Sequence, residues 1–501
     1  MTTDTDQPGL LFSSASGRWV VVATVLGSSL AAIDSTVVGI ALPAIGRDFR
    51  LPVANLQWVV SSYLLTLAGL LLVGGALGDH YGRRRVFTIG VVWFATTSLL
   101  CAAAPNAGSL IAGRALQGVG GALLTPGSLA ILQASFAPAD RSRAIGAWSG
   151  LGGVATAAGP LLGGFLISAV SWRLIFLINL PLAVVVLAVT ARHVPETHDP
   201  EATGRVDLLG AALVTLSLVG LTMGLIEGPG HGWTSGLVLS SLVAGAIFLV
   251  LFVAAERREA HPMLPLGIFS SAQFTATNAA TFVIYAALGG ALFLVPVELQ
   301  QVAHYSPFAS GVALLPLTVI LLLFSARSGA LAARIGPRLQ MSVGPIVAGA
   351  GLVLLRLIGP SGNYVTEVLP GVVVLGIGLA ITVAPLTSTA LSSAPTEHAG
   401  MASAVNNDVA RAGGLIAVAI LPALGGITGV SYLHPGLFTV GFQKAVTLAG
   451  VAAAFGGLLC AAFIRNLPAE LRPATPVRMS CPLDATPRCD QVETGPSEAV
   501  A

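Results

Sequence analysis

Residues 19–45 of this chain read WVVVATVLGSSLAAIDSTVVGIALPAI. The segment contains no Lys, Arg or Glu, and it is longer than the roughly 20 residues that an α-helix needs to cross the hydrocarbon core of a bilayer. It is too long for the apolar region of a cleaved signal peptide, and it contains an acid, Asp34. We therefore expect it to remain in the protein as the first transmembrane helix.

The same composition continues along the whole chain of 501 residues, of which 54% are hydrophobic and only 9% are charged. A soluble domain carries about 25% charged residues, so a chain of this kind needs lipid as its solvent. Long apolar stretches with few or no charged residues recur and predict fourteen spans. These spans must be helical because hydrocarbon cannot satisfy an exposed backbone. The predicted fold class is an all-α polytopic membrane protein.

The charged residues and the cysteines exclude several classes of function. A net charge of +2 is too small to indicate nucleic-acid binding. Cys101 and Cys460 lie in apolar stretches, and Cys481 and Cys489 lie in the polar tail without further ligands at metal-site spacing, so we expect reduced thiols and no metal. Lys444 is the only lysine and no phosphate-binding loop surrounds it, which excludes a nucleotide-driven pump on this chain. No cofactor is expected.

The basic residues predict the orientation of the chain. With the amino terminus in the cytoplasm, seventeen of the 24 Lys and Arg residues fall on the cytoplasmic side, as the positive-inside rule requires. Both termini are then cytoplasmic, and the Arg-for-Lys bias is typical of a GC-rich bacterial genome, so we expect a multi-pass protein of the bacterial inner membrane. The predicted organisation is a tail at 1–17, a six-helix bundle at 18–191, two linker helices at 207–255, a second six-helix bundle at 271–465, and a disordered cytoplasmic tail at 466–501.

An internal repeat relates the two halves of the chain. Residues 75–84 read GALGDHYGRR after the second predicted span, and residues 329–338 read GALAARIGPR after the tenth. The two segments match in spacing and in their side of the membrane, although Ala333 stands where the first copy has Asp79. Such a repeat is typical of a transporter that is built from two related bundles around a site at the middle of the membrane.

The first copy resembles the loop signature of the major facilitator superfamily, in which Gly, Asp and Arg residues join the second and third helices. Residues 114–118, RALQG, resemble the fourth-helix signature of that superfamily, and residues 155–164, ATAAGPLLGG, resemble its antiporter signature. Residues 34–43, DSTVVGIALP, and the group Trp172, Arg173, Phe176, Asn179 and Pro181 are similar to the branch of fourteen-span drug:proton antiporters. The resemblance implies two six-helix bundles with helices 7 and 8 inserted between them.

Asp34 and Arg114 are charged residues within predicted spans. An intramembrane acid costs roughly 2.5–3.5 kcal/mol on insertion scales, and low-dielectric burial favours its protonated form, so such a residue suggests a functional role. We expect Asp34 to couple transport to protons or to bind a cationic substrate; the alternative is a structural acid that pairs with an Arg or is capped by Ser35 and Thr36. An Arg stays charged and can hold a neighbouring carboxylate ionised. By resemblance, Arg114 belongs to the proton relay; the alternative is hydrogen bonding to helix carbonyls.

Two glycine-containing motifs suggest conformational roles. Gly75, Asp79, Gly82, Arg83 and Arg84 are interpreted as a latch, in which the resemblance implies that the acid sits against the start of helix 13 near Gly400. The alternative is that these arginines only set topology. In the antiporter motif, Gly159 and Gly163 are spaced i, i+4 for close helix packing, while Pro160 can kink the helix. With Gly164 they are expected to form a gating interface, the alternative being a generic packing contact.

Four further charges receive weaker interpretations. Asp408 and Arg411 lie three residues apart on one helix, so we expect a self-neutralised pair in preference to a second proton site. Glu227 and Glu298 lie near outer helix ends, where exposure at the membrane interface would explain them. Glu298 is followed by Gln300 and Gln301, a polar patch that could instead attract a cationic substrate.

Together these features predict a non-enzymatic exporter, acting as a monomer, that exchanges small drug-like, amphipathic or cationic molecules for protons by alternating access. An exporter of an endogenous metabolite or a natural-product antibiotic would have the same fold. A membrane-embedded enzyme would need a cluster of His, Asp or Cys at ligand or nucleophile spacing, which the sequence lacks.

Overall fold

The computed structural model describes residues 9–198, 206–259, 262–394 and 399–466. Within these ranges, fourteen helices are long and apolar enough to cross a membrane, which confirms the predicted all-α fold and its number of spans. They are α1 (Ala15–Phe49), α2 (Val53–Tyr81), α3 (Arg83–Ala102), α4 (Ala107–Ser135), α5 (Asp140–Ala169), α6 (Leu174–His193), α7 (Leu208–His231), α8 (Gly236–Glu256), α9 (Ala272–Gln301), α10 (Pro307–Ile335), α11 (Pro337–Leu357), α12 (Tyr364–Ser392), α13 (Met401–Gly425) and α14 (Pro435–Phe463). Residues 1–8 and 467–501 of the predicted tails, with Cys481 and Cys489, lie outside the described residues.

Polar side chains cap the starts of several spans. Ser14 accepts a hydrogen bond from the backbone N–H of Gly17 at the start of α1, and the Asn106 side chain accepts one from Ser109 at the start of α4. Ser235 and Ser271 cap α8 and α9 in the same way. These caps satisfy N–H groups that have no partner within the helix, so they determine where each span begins.

The helix pairings of the first six spans recur in the last six. α1 packs on α5 and α6, while α2 and α3 pack on α4. In the same way, α9 packs on α13 and α14, while α10 and α11 pack on α12. Each pairing is thus repeated eight helices later, as expected for two related six-helix bundles.

The remaining two helices, α7 and α8, form a hairpin beside the bundles. A Cβ added at Gly220 of α7 would lie 2.8 Å from the Cα of Gly245 in α8, so the two backbones are in contact through glycine. α7 also packs on α2 and α13, one helix from each bundle. Much of α8 faces outward, with Val250 68% exposed, as suits a helix that borders lipid.

The repeated loop contains a glycine break in each bundle. We call the membrane face at which α1 begins the inner face, and the opposite one the outer face. At the inner face, Gly82 has a φ of 106° between α2 and α3, and Gly336 has a φ of 89° between α10 and α11. Because side chains other than glycine rarely adopt these angles, both copies need glycine for the same tight reversal.

Candidate functional site

Asp34 lies in the middle of α1 and faces the interior of the first bundle. The residue is 1% exposed, and its Oδ2 atom accepts a hydrogen bond of 2.5 Å from Nη1 of Arg114 in α4. Both side chains are buried, so the two charges meet out of contact with solvent. The structure therefore brings together the two intramembrane charges that the sequence identifies in this bundle.

Three uncharged side chains complete the site around Asp34. Gln117 and Asn179 donate to Oδ1 of Asp34 at 2.9 and 3.3 Å, and both also donate to Oγ of Ser98, at 2.7 and 3.2 Å. Because these donors come from α4 and α6, three helices meet at the carboxylate, and Ser98 joins α3 to the same network. Both oxygens of the Asp34 carboxylate therefore have hydrogen-bond donors.

Arg114 is positioned by the backbone of α2 and by two aromatic rings. Its Nε donates to the carbonyl of Val59 at 3.2 Å. Its guanidinium carbon lies 4.3 Å from the ring centre of Tyr63 and 5.8 Å from that of Phe176, within the range of cation–π attraction. Removal of one partner from such a buried pair costs about 3–5 kcal/mol because the other charge is left uncompensated.

The contacts around Asp34 bear on the structural alternative for this residue. The Ser35 hydroxyl donates to the carbonyl of Ala32, and that of Thr36 to Ala32 and Ile33, so neither caps the carboxylate. The pairing with Arg114 is present, as the structural alternative requires. It is equally what a proton relay needs in the state that holds the acid ionised.

A cavity of about 610 Å³ lies between the two bundles, separate from Asp34. Five helices line it, namely α1, α4 and α5 of the first bundle and α12 and α13 of the second. The lining residues are Ser28, Ala31, Ala32, Ser35, Thr125, Trp148, Ser149, Gly152, Thr156, Val383, Asn407 and Arg411. Since Asp34 is turned towards Arg114 and is not part of this lining, it does not contact a molecule in the cavity directly in this conformation.

On the outer side, hydrogen bonds join the two bundles. Gln57 of α2 donates to the carbonyls of Val418 and Ala419 in α13 at 2.7 and 2.8 Å. Gln300 of α9 donates to the carbonyl of Ile40 in α1 at 2.9 Å. The molecule is therefore closed at its outer side.

The loop before α14 adds a further contact to this outer closure. The Tyr432 hydroxyl donates to the carbonyl of Leu51 at 2.8 Å. Burial raises the pKa of the Tyr432 hydroxyl above its ordinary value, which keeps it protonated as a donor.

Comparison with known proteins identifies the family. Residues 24–419 match the profile of the Major Facilitator Superfamily, which is more than half of the chain. The chain belongs to the major facilitator superfamily. This membership confirms the family that the sequence resembles, and it makes the chain a transporter and not an enzyme.

Several curated relatives are resistance proteins. The chain is 35% identical over 432 residues to the tetracenomycin C resistance and export protein of Streptomyces glaucescens, covering 85% of this chain and 80% of that one. It is 36% identical to multidrug resistance protein Stp of Mycobacterium tuberculosis over 80% of this chain and 74% of that one. It is 33% identical to the methylenomycin A resistance protein of Bacillus subtilis, over 88% and 94% of the two chains.

Solved structures share the fold of this major facilitator protein at lower identity. A bacterial homologue of the human lysosomal transporter Spinster, in an inward-facing and unoccupied conformation, aligns with a TM-score of 0.65 and 18% identity over 90% of this chain and 98% of that one. A peptide transporter POT in complex with sulfate aligns with a TM-score of 0.67 and 15% identity over 91% and 96% of the two chains. These likenesses concern the fold alone.

The antiporter motif of this superfamily member lies between the two bundles. On one side of α5, a Cβ at Gly163 would lie 2.7 Å from Val37 Cγ1 of α1, and one at Gly159 would overlap the Thr36 hydroxyl. On the other side, a Cβ at Gly164 would lie 2.6 and 2.7 Å from backbone atoms of Pro307 and Phe308 at the start of α10. α5 therefore touches its own bundle and the opposite bundle through glycine.

Pro160 belongs to the same contact, since its carbonyl lies against Gly311 of α10. Ser168 strengthens it by accepting a hydrogen bond from the backbone N–H of Phe308 at 3.3 Å. The motif therefore contacts the second bundle through both backbone packing and a hydrogen bond. The gating role of the motif stays a prediction.

The latch residues lie where α2 ends at the inner face. Nε of Arg83 donates to Oδ1 of Asp79 at 2.8 Å, so the acid pairs with its own motif in this conformation. Gly75 lies on α2 one turn before Asp79, where its backbone is close to Pro126 of α4. The predicted contact of Asp79 with the start of α13 near Gly400 stays a prediction for another conformation.

The segment after α6 covers this junction, which the sequence does not reveal. The backbone N–H of Arg84 donates to Glu196 at 3.0 Å, and that of Arg83 donates to the carbonyl of Thr197 at 2.8 Å. The Arg84 guanidinium donates to the carbonyl of Ala191 at 3.2 Å. The start of α3 therefore anchors the chain that leaves the first bundle, through two backbone N–H groups and the guanidinium of Arg84.

We expect Asp79→Asn to slow turnover several-fold while substrate affinity is kept. The Asp79–Arg83 pair is partly exposed, and pairs at the protein surface contribute only about 0–1 kcal/mol to stability. The variant should therefore fold, and loss of the pair should act on the balance between conformations. Turnover and half-saturation of transport in vesicles measure the two effects separately. Glu259→Gln, at an exposed acid on the same face, is the matched control. Normal turnover with weakened affinity would contradict the latch.

Glu298 corrects one expectation. The sequence places it at the membrane interface, but the structure buries it completely among α9 and its neighbours. Oε1 accepts from the Thr439 hydroxyl of α14 at 3.0 Å, while Oε2 has no partner among the described residues. Position along a helix indicates depth, but it does not reveal which side faces the other helices. The predicted polar patch is likewise inside the protein, since Gln300 bonds to Ile40 of α1.

Glu227 links the α7–α8 hairpin to the first bundle. Its Oε1 atom accepts a hydrogen bond of 2.9 Å from the Trp58 indole of α2, and its Oε2 lies 3.2 Å from His231. The side chain is 22% exposed. Exposure at the membrane interface, by which the sequence explains Glu227, is therefore only partial, and its contacts with Trp58 and His231 indicate a structural role.

Asp408 and Arg411 do not form the expected self-neutralised pair. The buried Oδ1 of Asp408 and the buried Nε of Arg411 have no hydrogen-bond partner in the described part of the chain. A spacing of three residues permits a contact on a helix, but the rotamers decide whether it forms. Here Arg411 points into the cavity.

Proposed function

We propose that this chain exports small amphipathic, drug-like molecules across the bacterial inner membrane in exchange for protons, with both termini in the cytoplasm. The observation that carries the proposal is the buried Asp34–Arg114 pair, an acid at bilayer depth whose charge is balanced by one neighbouring Arg. Placing an acid at this depth costs free energy, which indicates that the residue has a function, and protonation is the change that it can undergo.

The pair can report its protonation state to the rest of the bundle. When Asp34 is ionised, it holds Arg114, Gln117 and Asn179 together across three helices. When Asp34 gains a proton, Arg114 loses its partner, and a buried Arg without one is destabilised by about 3–5 kcal/mol. That penalty favours any conformation in which Arg114 finds water or another acceptor, which is how proton binding drives a change between two states.

The cavity and the outer closure support alternating access. A substrate enters from the inner face, where the cavity lies between the bundles, while Gln57 and Gln300 hold the outer side closed. Opening outward requires these hydrogen bonds to break and the contact between Gly164 and α10 to separate. This separation is the gating role that we propose for Gly159, Pro160, Gly163 and Gly164. It also allows Asp79 to reach the second bundle as the proposed latch. One chain contains every part, so we propose that it acts as a monomer.

The direction of transport follows from the proton gradient and agrees with the relatives. Each proton that moves inward releases about 2.3 kcal/mol of free energy per 100 mV of membrane potential, which can drive an outward flux of substrate. The matched resistance proteins, among them one named for tetracenomycin C export, favour export over import. The same names favour a natural-product antibiotic as a second candidate cargo.

A vesicle experiment tests the proposal. Purified protein is reconstituted into sealed vesicles that contain a pH-sensitive dye, with a pH gradient imposed, and candidate substrates are added. We expect proton movement that depends on the substrate and is absent from protein-free vesicles. Substrate flux at full rate without any accompanying proton movement would refute proton coupling.

A further inference from the structure

Arg411 gives the cavity a positive charge. It is the one charged side chain among the described residues that line the cavity, and the rest of the lining is polar but neutral or apolar. A charge that faces the binding space selects among ligands more strongly than hydroxyl groups do, because charge-assisted hydrogen bonds are about twice as strong as neutral ones.

No acid among the described residues forms an ion pair with Arg411, although Asp408 is near enough to interact with it electrostatically. The buried Nε of Arg411 has no hydrogen-bond partner in the described residues. Asp408 lies one turn earlier on α13 but is not part of the cavity lining, and its buried Oδ1 bonds to nothing described. Asp34 flanks the lining of α1, but Arg114 neutralises it.

The remaining lining suits an aromatic molecule with oxygen acceptors. Trp148 of α5 presents an indole whose Nε1 is bonded to the Ser28 hydroxyl at 2.9 Å, which holds the ring in place at the cavity wall. Ser35 and Thr125 supply hydroxyl groups, and Asn407 supplies an amide beside Arg411. A ring system can pack on the indole while an acidic group reaches the guanidinium.

We propose that the cavity binds organic anions, namely aromatic molecules that carry a carboxylate or an ionised phenol, with Arg411 as the residue that selects their charge. A planar guanidinium pairs with a carboxylate through two parallel hydrogen bonds, which no neutral lining residue can match. A cationic molecule would lie beside an unpaired guanidinium in a low-dielectric space and would be repelled. This inference rests on the proposed function and replaces the sequence expectation of a cationic cargo.

Two dyes with the same xanthene ring and opposite charge test the proposal at equilibrium. Fluorescein is an anion at pH 7.4 and rhodamine 123 is a cation, and fluorescence anisotropy with purified protein in lipid nanodiscs measures the dissociation constant of each. We expect the protein to bind fluorescein about tenfold more tightly than rhodamine 123, the ratio that one charge-assisted pair provides. Arg411→Gln should remove this preference, and Arg411→Lys should keep most of it.

Arg327→Gln, at an Arg of α10 outside the cavity lining, is the matched control and should leave both dissociation constants unchanged. Equal or tighter binding of rhodamine 123 by the unmodified protein would overturn the proposal. So would an Arg411→Gln variant that weakens both dyes equally, and so would an unmodified protein that binds neither. Since binding is measured without a gradient, an unmodified protein that shows substrate-driven proton movement but no preference for the anionic dye refutes this inference and leaves the proposed function standing.

Discussion

Vesicles that contain the Asp34→Asn protein are expected to show no substrate-driven proton movement above the background of protein-free vesicles. Asn cannot gain or lose a proton, so the step that releases Arg114 from its partner and restores it is removed. The substitution keeps the shape of the side chain and its hydrogen bonds to Gln117 and Asn179. The measurement is the proton flux at saturating substrate, with protein insertion checked separately.

A matched control lies on the same helix. Asp48 of α1 also pairs with an Arg, since its Oδ2 lies 2.9 Å from Nη1 of Arg173, but the side chain is 45% exposed at the outer end of the helix. An exposed pair contributes only about 0–1 kcal/mol, so Asp48→Asn should retain most of the transport rate. Full proton-coupled transport by the Asp34→Asn protein would remove Asp34 from the mechanism.

A second variant separates coupling from folding. Asp34→Asn leaves Arg114 buried without its counter-charge, which costs about 3–5 kcal/mol and could reduce the yield of folded protein. The double variant Asp34→Asn with Arg114→Gln removes both charges and should recover thermal stability, because a neutral network of amides replaces the ion pair. It should still show no proton coupling. Recovery of transport in the double variant would mean that the pair only stabilises the bundle.

The sequence predicts this site well because of the cost of burying charge. Lipid restricts a span to a helix of about 20 apolar residues, so the fourteen spans can be found from hydropathy alone. Asp34 and Arg114 are conspicuous in such spans and each needs an opposite charge, but it is the structure that shows that they pair with each other. The contacts of Ser98 and Tyr63 carry no such signal, since a hydroxyl or a phenol is common in a membrane helix. Their roles depend on how α2 and α3 are turned about their axes.

Glu298 and the Asp408–Arg411 pair show where sequence reasoning fails. Depth in the membrane follows from position along a helix, whereas burial against other helices depends on packing between segments that are far apart in sequence. Glu298 meets Thr439, which is 141 residues away. Asp408 and Arg411 are close enough to pair, but the cavity between the bundles offers Arg411 another place to lie. The direction of a side chain towards a cavity is a property of the assembled helices.

The contact between Gly164 and α10 leads to the second large expected effect. Gly164→Ala should reduce the transport rate about 5- to 150-fold. Overpacking costs about 1–3 kcal/mol, and here this cost destabilises only the state that is closed at the outer side. The added Cβ would meet backbone atoms of Pro307 and Phe308 at 2.6 and 2.7 Å. Backbone atoms cannot change rotamer, so relief requires the two bundles to separate.

Gly164→Ala should therefore remain folded but shift towards the conformation that is open at the outer side. Spin labels at the exposed outer residues Ala103 and Val430, one on each bundle, would report a longer average distance than in the unmodified protein. Gly150→Ala is the matched control, since it lies on the same helix and a Cβ there has no atom within 4 Å. An unchanged distance distribution, together with a normal transport rate, would show that α5 and α10 accommodate the added methyl group without a free-energy penalty. The antiporter motif would then be a packing motif, and the change between states would have to be controlled by the polar contacts of Gln57, Gln300 and Tyr432 instead.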